Sequence, residues 1–205
     1  MLNTIFLFFT IVFFVGLSLV FTTRPDLAAE NGLYESIQLV LIALAFVLAL
    51  INLLTHKQKK LIYISIGFSL LSFGFFLREL ELRDTDFPNW LIYLSSPSGS
   101  AVITSLLFLP FIVYSLRYLM FAWQSGLCFM KTNYFWLMLL AAVFLFTGGI
   151  FDRAWITDEY GLFFEEFFET AGYYTMLWAL FKMTPQQRKY DASHYRKAQD
   201  YSCFD

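Results

Sequence analysis

The sequence contains only two histidines, and this scarcity excludes several kinds of chemistry. His56 lies in a Lys-rich segment and His194 lies in the polar C-terminal region. A transmembrane b-type haem requires paired histidine ligands, and a carboxylate-bridged di-iron site requires a Glu-x-x-His motif, so the sequence offers neither. The acidic residues also lack the histidine or cysteine companions of a zinc site and the base of a Ser-His hydrolase. We therefore expect no haem and no zinc.

Cysteine and charged residues are scarce as well. Cys128 and Cys203 show no CxxC spacing, and both are expected in the reducing cytoplasm, where we expect no disulfide. No Gly-rich phosphate-binding loop followed by Lys-Ser/Thr is present. Only 15% of the residues are charged, whereas a soluble domain has about 25%. With a net charge of −2, the chain has no excess of basic residues that would indicate a nucleic acid partner.

Long apolar runs dominate the sequence instead. Six of them approach the length of about 20 residues that a helix needs to cross a membrane. They cover residues 3–22, 33–54, 61–80, 101–123, 134–151 and 162–183. Helices satisfy their own backbone hydrogen bonds in lipid. We therefore predict an all-α integral membrane protein with six transmembrane helices in a bundle.

The domain organisation follows from these runs. Residues 1–183 are predicted to form a single transmembrane domain, and residues 184–205 a polar cytoplasmic tail. The segment 86–96, between the third and fourth spans, is too short to cross but carries Trp90 and Tyr93. Aromatic residues of this kind anchor helices at the headgroups. We expect a short interfacial helix there.

The basic residues divide unevenly between the two ends of the runs. If the N-terminus is inside, the cytoplasmic side holds Lys57, Lys59, Lys60, Arg117, Lys131, Lys182, Arg188, Lys189, Arg196 and Lys197. The outer side then holds Arg24, Arg78, Arg83 and Arg153. Because cytoplasmic loops are enriched in Lys and Arg, we expect an N-in, C-in topology in the plasma (inner) membrane.

The acidic residues divide in the opposite sense. Those expected at the outer ends are Asp26, Glu30, Glu35, Glu79, Glu81, Asp84, Asp86, Asp152, Asp158, Glu159, Glu165, Glu166 and Glu169. The C-terminal region holds the remainder, which are Asp191, Asp200 and Asp205. Since acidic residues do not determine topology, their concentration on one side requires another cause.

The start of the sixth run, within residues 161–172, carries three of these carboxylates. Glu165 and Glu169 are four residues apart and Glu166 and Glu169 are three apart, so all three can occupy one side of a helix. An ionisable side chain costs roughly 2.5–3.5 kcal/mol at the bilayer centre and less toward the interface. Partners, water or a ligand must offset that cost.

Polar and small residues repeat at helical spacing in the second, third, fifth and sixth runs, and each stripe ends in a carboxylate on the outer side. Such stripes allow membrane helices to approach closely and to form interhelical hydrogen bonds. We therefore predict that these four runs converge on one polar pocket. Its candidate ligand- or ion-binding residues are Glu35, Gln38, Arg78, Glu79, Asp152, Arg153, Glu165, Glu166 and Glu169.

A pocket with only oxygen ligands suits Ca²⁺, Mg²⁺ or Mn²⁺, a proton, or a cationic headgroup. If a divalent cation binds, its expected ligands are Glu35, Glu79, Glu165 and Glu169. We therefore expect a binding or transport protein with an outer-side carboxylate and arginine pocket. Membrane lipids are the expected partners, with other membrane subunits or further copies of the chain as candidates.

Two other functions remain open. The protein could be an accessory or assembly subunit in which the charges are structural, because acidic residues near a helix N-terminus are stabilised by the helix dipole and Arg78 and Arg153 can pair with them. It could also be an enzyme that acts on a lipid-type substrate through a carboxylate-bound metal. The sequence favours the enzyme least, because it shows no nucleophile-plus-base pair.

Overall fold

The computed structural model describes residues 10–12, 14–16, 18–19, 33–80, 88–152 and 159–184. Within these ranges the regular secondary structure is entirely helical. The described residues among 10–19 are helical, and seven further helices follow them. These helices are α1 (Leu33–Thr55), α2 (Lys59–Glu79), α3 (Asn89–Ser95), α4 (Pro97–Arg117), α5 (Leu119–Met130), α6 (Asn133–Asp152) and α7 (Glu159–Met183).

Four of these helices are long and apolar enough to cross a membrane. They are α1, α2, residues Ser98–Arg117 of α4, and residues Asn133–Phe151 of α6. The protein is therefore a multi-pass α-helical membrane protein, as the sequence predicts. A crossing by α7, which is 25 residues long but acidic near its start, stays a prediction. The first span, most of which lies outside the described residues, also stays a prediction. The N-in, C-in topology stays a prediction as well.

The predicted fourth span differs most from the structure. Residues 101–123 are not one helix, because α4 ends at Arg117 and α5 begins at Leu119. Tyr118, between them, has φ −116° and ψ 48°, which lies outside the helical region. Hydropathy measures the length of an apolar run and does not detect a change of direction within it. The helix α3 lies inside the predicted segment 86–96, and its position at the interface stays a prediction.

The helices pack in the order α2, α1, α7 and α6, with α4 and α5 against α2. The loop between α1 and α2 is only three residues long, which makes these helices antiparallel neighbours. Phe14 packs edge-on against Phe167 at a centroid distance of 5.3 Å, so the helical residues near the N-terminus contact α7.

Small residues set the distances between these helices. Ala45 and Ala49 of α1 are fully buried in the core that α1 forms with α6 and α7. A Cβ atom on Gly172 of α7 would lie 2.6 Å from Cγ of Leu145 and 3.2 Å from the carbonyl oxygen of Ala141, both on α6. Close approach of α6 and α7 therefore requires glycine at position 172.

One expectation about the cysteines is wrong. Cys128, which is buried near the end of α5, is disulfide-bonded. Cys203 lies outside the described residues, so the cytoplasmic placement of the two cysteines stays a prediction.

Candidate functional site: a buried carboxylate cluster

Three carboxylates from two helices lie close together at one end of the bundle. Glu166 and Glu169 occupy neighbouring turns of α7 and are 8% and 3% exposed. Glu79 is the last residue of α2, and its side chain is 12% exposed. The i, i+3 spacing of the two α7 residues turns both toward α1 and α2. We call Glu79, Glu166 and Glu169, with the residues that contact them, the carboxylate cluster.

Arg78 joins two of these carboxylates. Its guanidinium Nη2 donates to Oε1 of Glu169 at 2.6 Å, and its Nε lies 3.5 Å from Oε1 of Glu79. The Arg78 side chain is 50% exposed, whereas its two partners are largely buried. The arginine therefore reaches in from the rim of the cluster and connects α2 to α7.

Tyr173 adds a second connection between the same helices. It is fully buried, and its hydroxyl group donates to Oε1 of Glu79 at 2.8 Å. The sequence analysis did not single out Tyr173. It follows Glu169 by four residues on α7, so the same helical spacing that selects the acidic residues also selects this tyrosine.

The remaining carboxylate, Glu166, contacts α1 instead. Nε2 of Gln38 donates to Oε2 of Glu166 at 2.6 Å, and it lies 3.3 Å from both the Glu166 carbonyl oxygen and Oγ1 of Thr170. Gln38 and Thr170 are fully buried. Oε1 of Gln38 is buried without a hydrogen-bond partner in the described part of the chain. Thr170, which the sequence analysis also missed, follows Glu166 by four residues.

In the part of the chain that the structure describes, the charges in the cluster do not balance. Among the described residues, Arg78 is the cation that contacts Glu79 and Glu169, and Glu166 meets a neutral amide. If all three carboxylates are ionised, the cluster carries more negative than positive charge. A buried charge is costly unless it is paired, so an unbalanced cluster favours a positively charged ligand.

Glycine on α6 makes room for Glu169. A Cβ atom on Gly148 would lie 2.8 Å from Cγ of Glu169 and 3.3 Å from the carbonyl oxygen of Glu165. A Cβ atom on the neighbouring Gly149 would have no contact within 4 Å. Helix α6 therefore contributes a close backbone surface behind the Glu169 side chain.

The structure brings five of the nine candidate residues into two groups of direct contacts, Gln38 with Glu166 and Arg78 with Glu79 and Glu169. Glu35 lies three residues before Gln38 on α1, and Glu165 directly precedes Glu166 on α7. Both are part-buried. Asp152 ends α6, but its side chain lies outside the described part of the structure, as does Arg153. Their roles stay predictions.

The predicted divalent-cation site stays a prediction. In the described ranges, no group of three or more His, Cys, Asp or Glu residues is placed to hold a metal ion. The four carboxylates named as divalent-cation ligands, Glu35, Glu79, Glu165 and Glu169, therefore form no such group there. Glu79 and Glu169 are instead occupied by Arg78.

Comparison with known proteins adds nothing to this description. No family model, no curated protein and no solved structure matches the chain. The fold and the contacts define its class, a multi-pass helical membrane protein with a buried carboxylate cluster. Any functional assignment depends on the chemistry of that cluster.

Proposed function

We propose that this is a binding or transport-type membrane protein whose carboxylate cluster takes up a proton or a small cation beside Glu166. The observation that carries the proposal is the contact between Glu166 and Gln38. Glu166 is 8% exposed, and its partner in the described residues is a neutral amide. Ionisable residues inside membrane proteins are commonly functional because their burial is costly. A positive ligand removes that cost.

The oxygen atoms around Glu166 support the same proposal. Oε1 of Gln38 is a buried acceptor that lacks a hydrogen-bond donor in the described residues, and it belongs to the same amide that contacts Glu166. Oγ1 of Thr170 lies 3.3 Å from the nitrogen of that amide. Carboxylate, amide and hydroxyl oxygens together suit a proton, a hard cation or an ammonium group.

The other half of the cluster has a different task. Arg78 and Tyr173 fix Glu79 and Glu169 by direct contacts between α2 and α7. These contacts hold the helices in place, whereas Glu166 contacts a neutral amide in the described part of the chain. We therefore assign ligand binding to the Glu166 side of the cluster and helix positioning to the Arg78 side.

A second function has a specific observation in its favour. Arg78 neutralises part of the charge and bridges two carboxylates, as expected of a static network in an accessory or assembly subunit. In that case the cluster only holds helices together. Replacement of any of its acids would then change stability without changing ligand binding.

The two functions are separated by the ligand dependence of stability. A ligand that binds the folded protein raises its unfolding temperature. If the ligand is a proton, the unfolding temperature falls as pH rises, because Glu166 loses its proton and is left buried with a negative charge. If the ligand is a metal or ammonium cation, the unfolding temperature rises with that cation at constant pH.

The test compares the wild-type protein with Glu166→Gln and Glu165→Gln, which make the same change at adjacent positions. Unfolding temperatures are measured in detergent over a pH series and with Na⁺, Ca²⁺, Mg²⁺, Mn²⁺ and ammonium. We expect Glu166→Gln to abolish the dependence on pH or cation and Glu165→Gln to retain it. Equal dependence in all three proteins, or none in any, would exclude the binding function.

A further inference from the structure

A groove outside the carboxylate cluster lies between α2, α4 and α5. Its volume is about 680 Å³. On α2 it is lined by Lys59, Ile62, Tyr63, Ile66 and Leu70, which follow the three- and four-residue spacing of one helix face. Apart from Lys59 and the tyrosine hydroxyl, these side chains are apolar. The α2 wall of the groove is therefore apolar, with a cation at one end.

The length of the groove corresponds to one leaflet of a membrane. Lys59 is the first residue of α2, so it marks one end of a membrane-crossing helix. Leu70 is eleven residues further along, a distance of roughly 16 Å at the helical rise of about 1.5 Å per residue. The hydrocarbon core of a bilayer is about 30 Å thick. The groove thus extends from the headgroup level to about the middle of the membrane.

A second cation lies at the same end. Arg117, the last residue of α4, has its guanidinium carbon 5.9 Å from the centre of the Tyr118 ring, and Tyr118 lines the groove. Lys59 and Arg117 are both exposed. Lys57 is exposed in the adjoining loop but does not line the groove. The mouth of the groove therefore complements an anionic headgroup.

The walls of the groove are held by specific contacts. The hydroxyl of Tyr63 lies 2.7 Å from Oγ of Ser115, which donates in turn to the Phe111 carbonyl oxygen at 2.6 Å. The Tyr63 ring stacks on Phe111 at a centroid distance of 4.9 Å. A Cβ atom on Gly67 would lie 3.3 Å from the Phe111 ring, so the two helices are in close contact there. The groove is a formed feature of the packed helices.

We propose that this groove binds one phospholipid with an anionic headgroup, whose phosphate lies at Lys59 and Arg117 and whose acyl chain lies along Ile66, Leu70 and Leu107. The apolar walls match the chain, and the two cations match the head. The proposal is independent of the function of the carboxylate cluster, because the two sites share helix α2 but no residue.

The test measures lipid retention by native mass spectrometry of the full chain in detergent. The probes are phosphatidylglycerol and phosphatidylcholine with identical acyl chains, and inorganic phosphate as a competitor. We expect the wild-type protein to retain one phosphatidylglycerol, to retain phosphatidylcholine several-fold less, and to keep the bound lipid in excess phosphate. Equal retention of the two lipids, or displacement by phosphate, would overturn the proposal.

Two matched pairs of variants locate the lipid. Leu107→Trp fills the groove, whereas Leu106→Trp makes the same change on a neighbouring exposed residue outside it. Lys59→Gln removes the cation at the mouth, and Lys57→Gln removes one from the adjoining loop. We expect retention of phosphatidylglycerol to fall about fivefold in Lys59→Gln, the loss that one basic residue near an anionic lipid implies. Leu107→Trp should also retain less phosphatidylglycerol than the wild-type protein.

Leu106→Trp and Lys57→Gln should retain the lipid at the wild-type level. If either control loses as much lipid as its partner, binding is a general effect of surface charge or apolar area, and the groove is not the site. Equal unfolding temperatures within each pair show that the comparison concerns binding and not folding.

Discussion

Gln38 donates through Nε2 to Oε2 of Glu166 at 2.6 Å, across 128 residues of sequence. This contact joins α1 to α7 at a position where both side chains are buried. It places a carboxylate beside a neutral amide while the nearby arginine pairs with two other carboxylates. The proposed division of the cluster into a ligand side and a positioning side rests on this contact.

The first prediction concerns Gln38. Gln38→Leu keeps the volume but removes the hydrogen bonds to Glu166 and Thr170. Leaving a buried polar group without its partner costs about 1–3 kcal/mol, so we expect a loss of stability of that order, measured by equilibrium unfolding in detergent. The double variant Gln38→Leu with Glu166→Leu should recover part of the loss. No recovery would contradict a direct interaction.

The second prediction concerns Arg78. Arg78→Gln leaves Glu79 and Glu169 without their shared cation. Removing one partner of a buried ion pair costs about 3–5 kcal/mol, but we expect about 1–3 kcal/mol here because half of the Arg78 side chain is exposed and screened by solvent.

A double-mutant cycle with Glu169→Gln measures the coupling between the two residues. We expect the double variant to be less destabilised than the sum of the single variants. Strictly additive effects would show that the 2.6 Å contact contributes nothing to stability.

The third prediction compares two adjacent glycines of α6. In Gly148→Ala the new methyl group meets Cγ of Glu169 and the Glu165 carbonyl oxygen, so the Glu169 side chain or the helix must shift. Overpacking of this kind costs about 1–3 kcal/mol. Gly149→Ala meets no atom within 4 Å and should be neutral or stabilise the helix by up to about 1 kcal/mol. Unfolding in detergent measures both, and equal effects would contradict the close α6–α7 packing.

The fourth prediction tests the topology. Asp84→Cys and Lys57→Cys should react with a membrane-impermeant thiol reagent from opposite sides of the membrane, Asp84→Cys from outside and Lys57→Cys from inside. The wild-type protein serves as the control for its own two cysteines. Labelling of both positions from one side would contradict the N-in, C-in arrangement.

Helical spacing in the sequence anticipates much of the packing. Four of the five residues in the predicted stripe on α1, namely Gln38, Ala45, Ala49 and Asn52, are fully buried, and the fifth, Glu35, is part-buried. Asn52 donates to the Leu180 carbonyl oxygen at 2.9 Å. A fixed period of 3.6 residues determines which residues share a helix face, so the buried face is predictable from one sequence. The apolar runs likewise anticipate an all-helical membrane fold.

Helical spacing does not predict which side chains pair between helices that are far apart in sequence. The spacing places Glu166 and Glu169 on one face of α7, but it contains no information that Arg78 pairs with Glu169 and leaves Glu166 to Gln38. Tyr173 and Thr170 share the face of the acidic residues, but neither is charged at neutral pH, so the pattern of charged residues does not select them. The break at Tyr118 is not predictable from hydropathy because α4 and α5 are both apolar.

The most direct test of the central proposal is infrared difference spectroscopy of the reconstituted protein, which reports the protonation state of buried carboxyl groups. Spectra are recorded for a change of pH and for addition of each cation, in the wild-type protein, Glu166→Gln and Glu165→Gln. We expect a carboxyl signal that responds to the proton or the cation in the wild-type protein and in Glu165→Gln and is absent from Glu166→Gln. Identical spectra from all three proteins would contradict it.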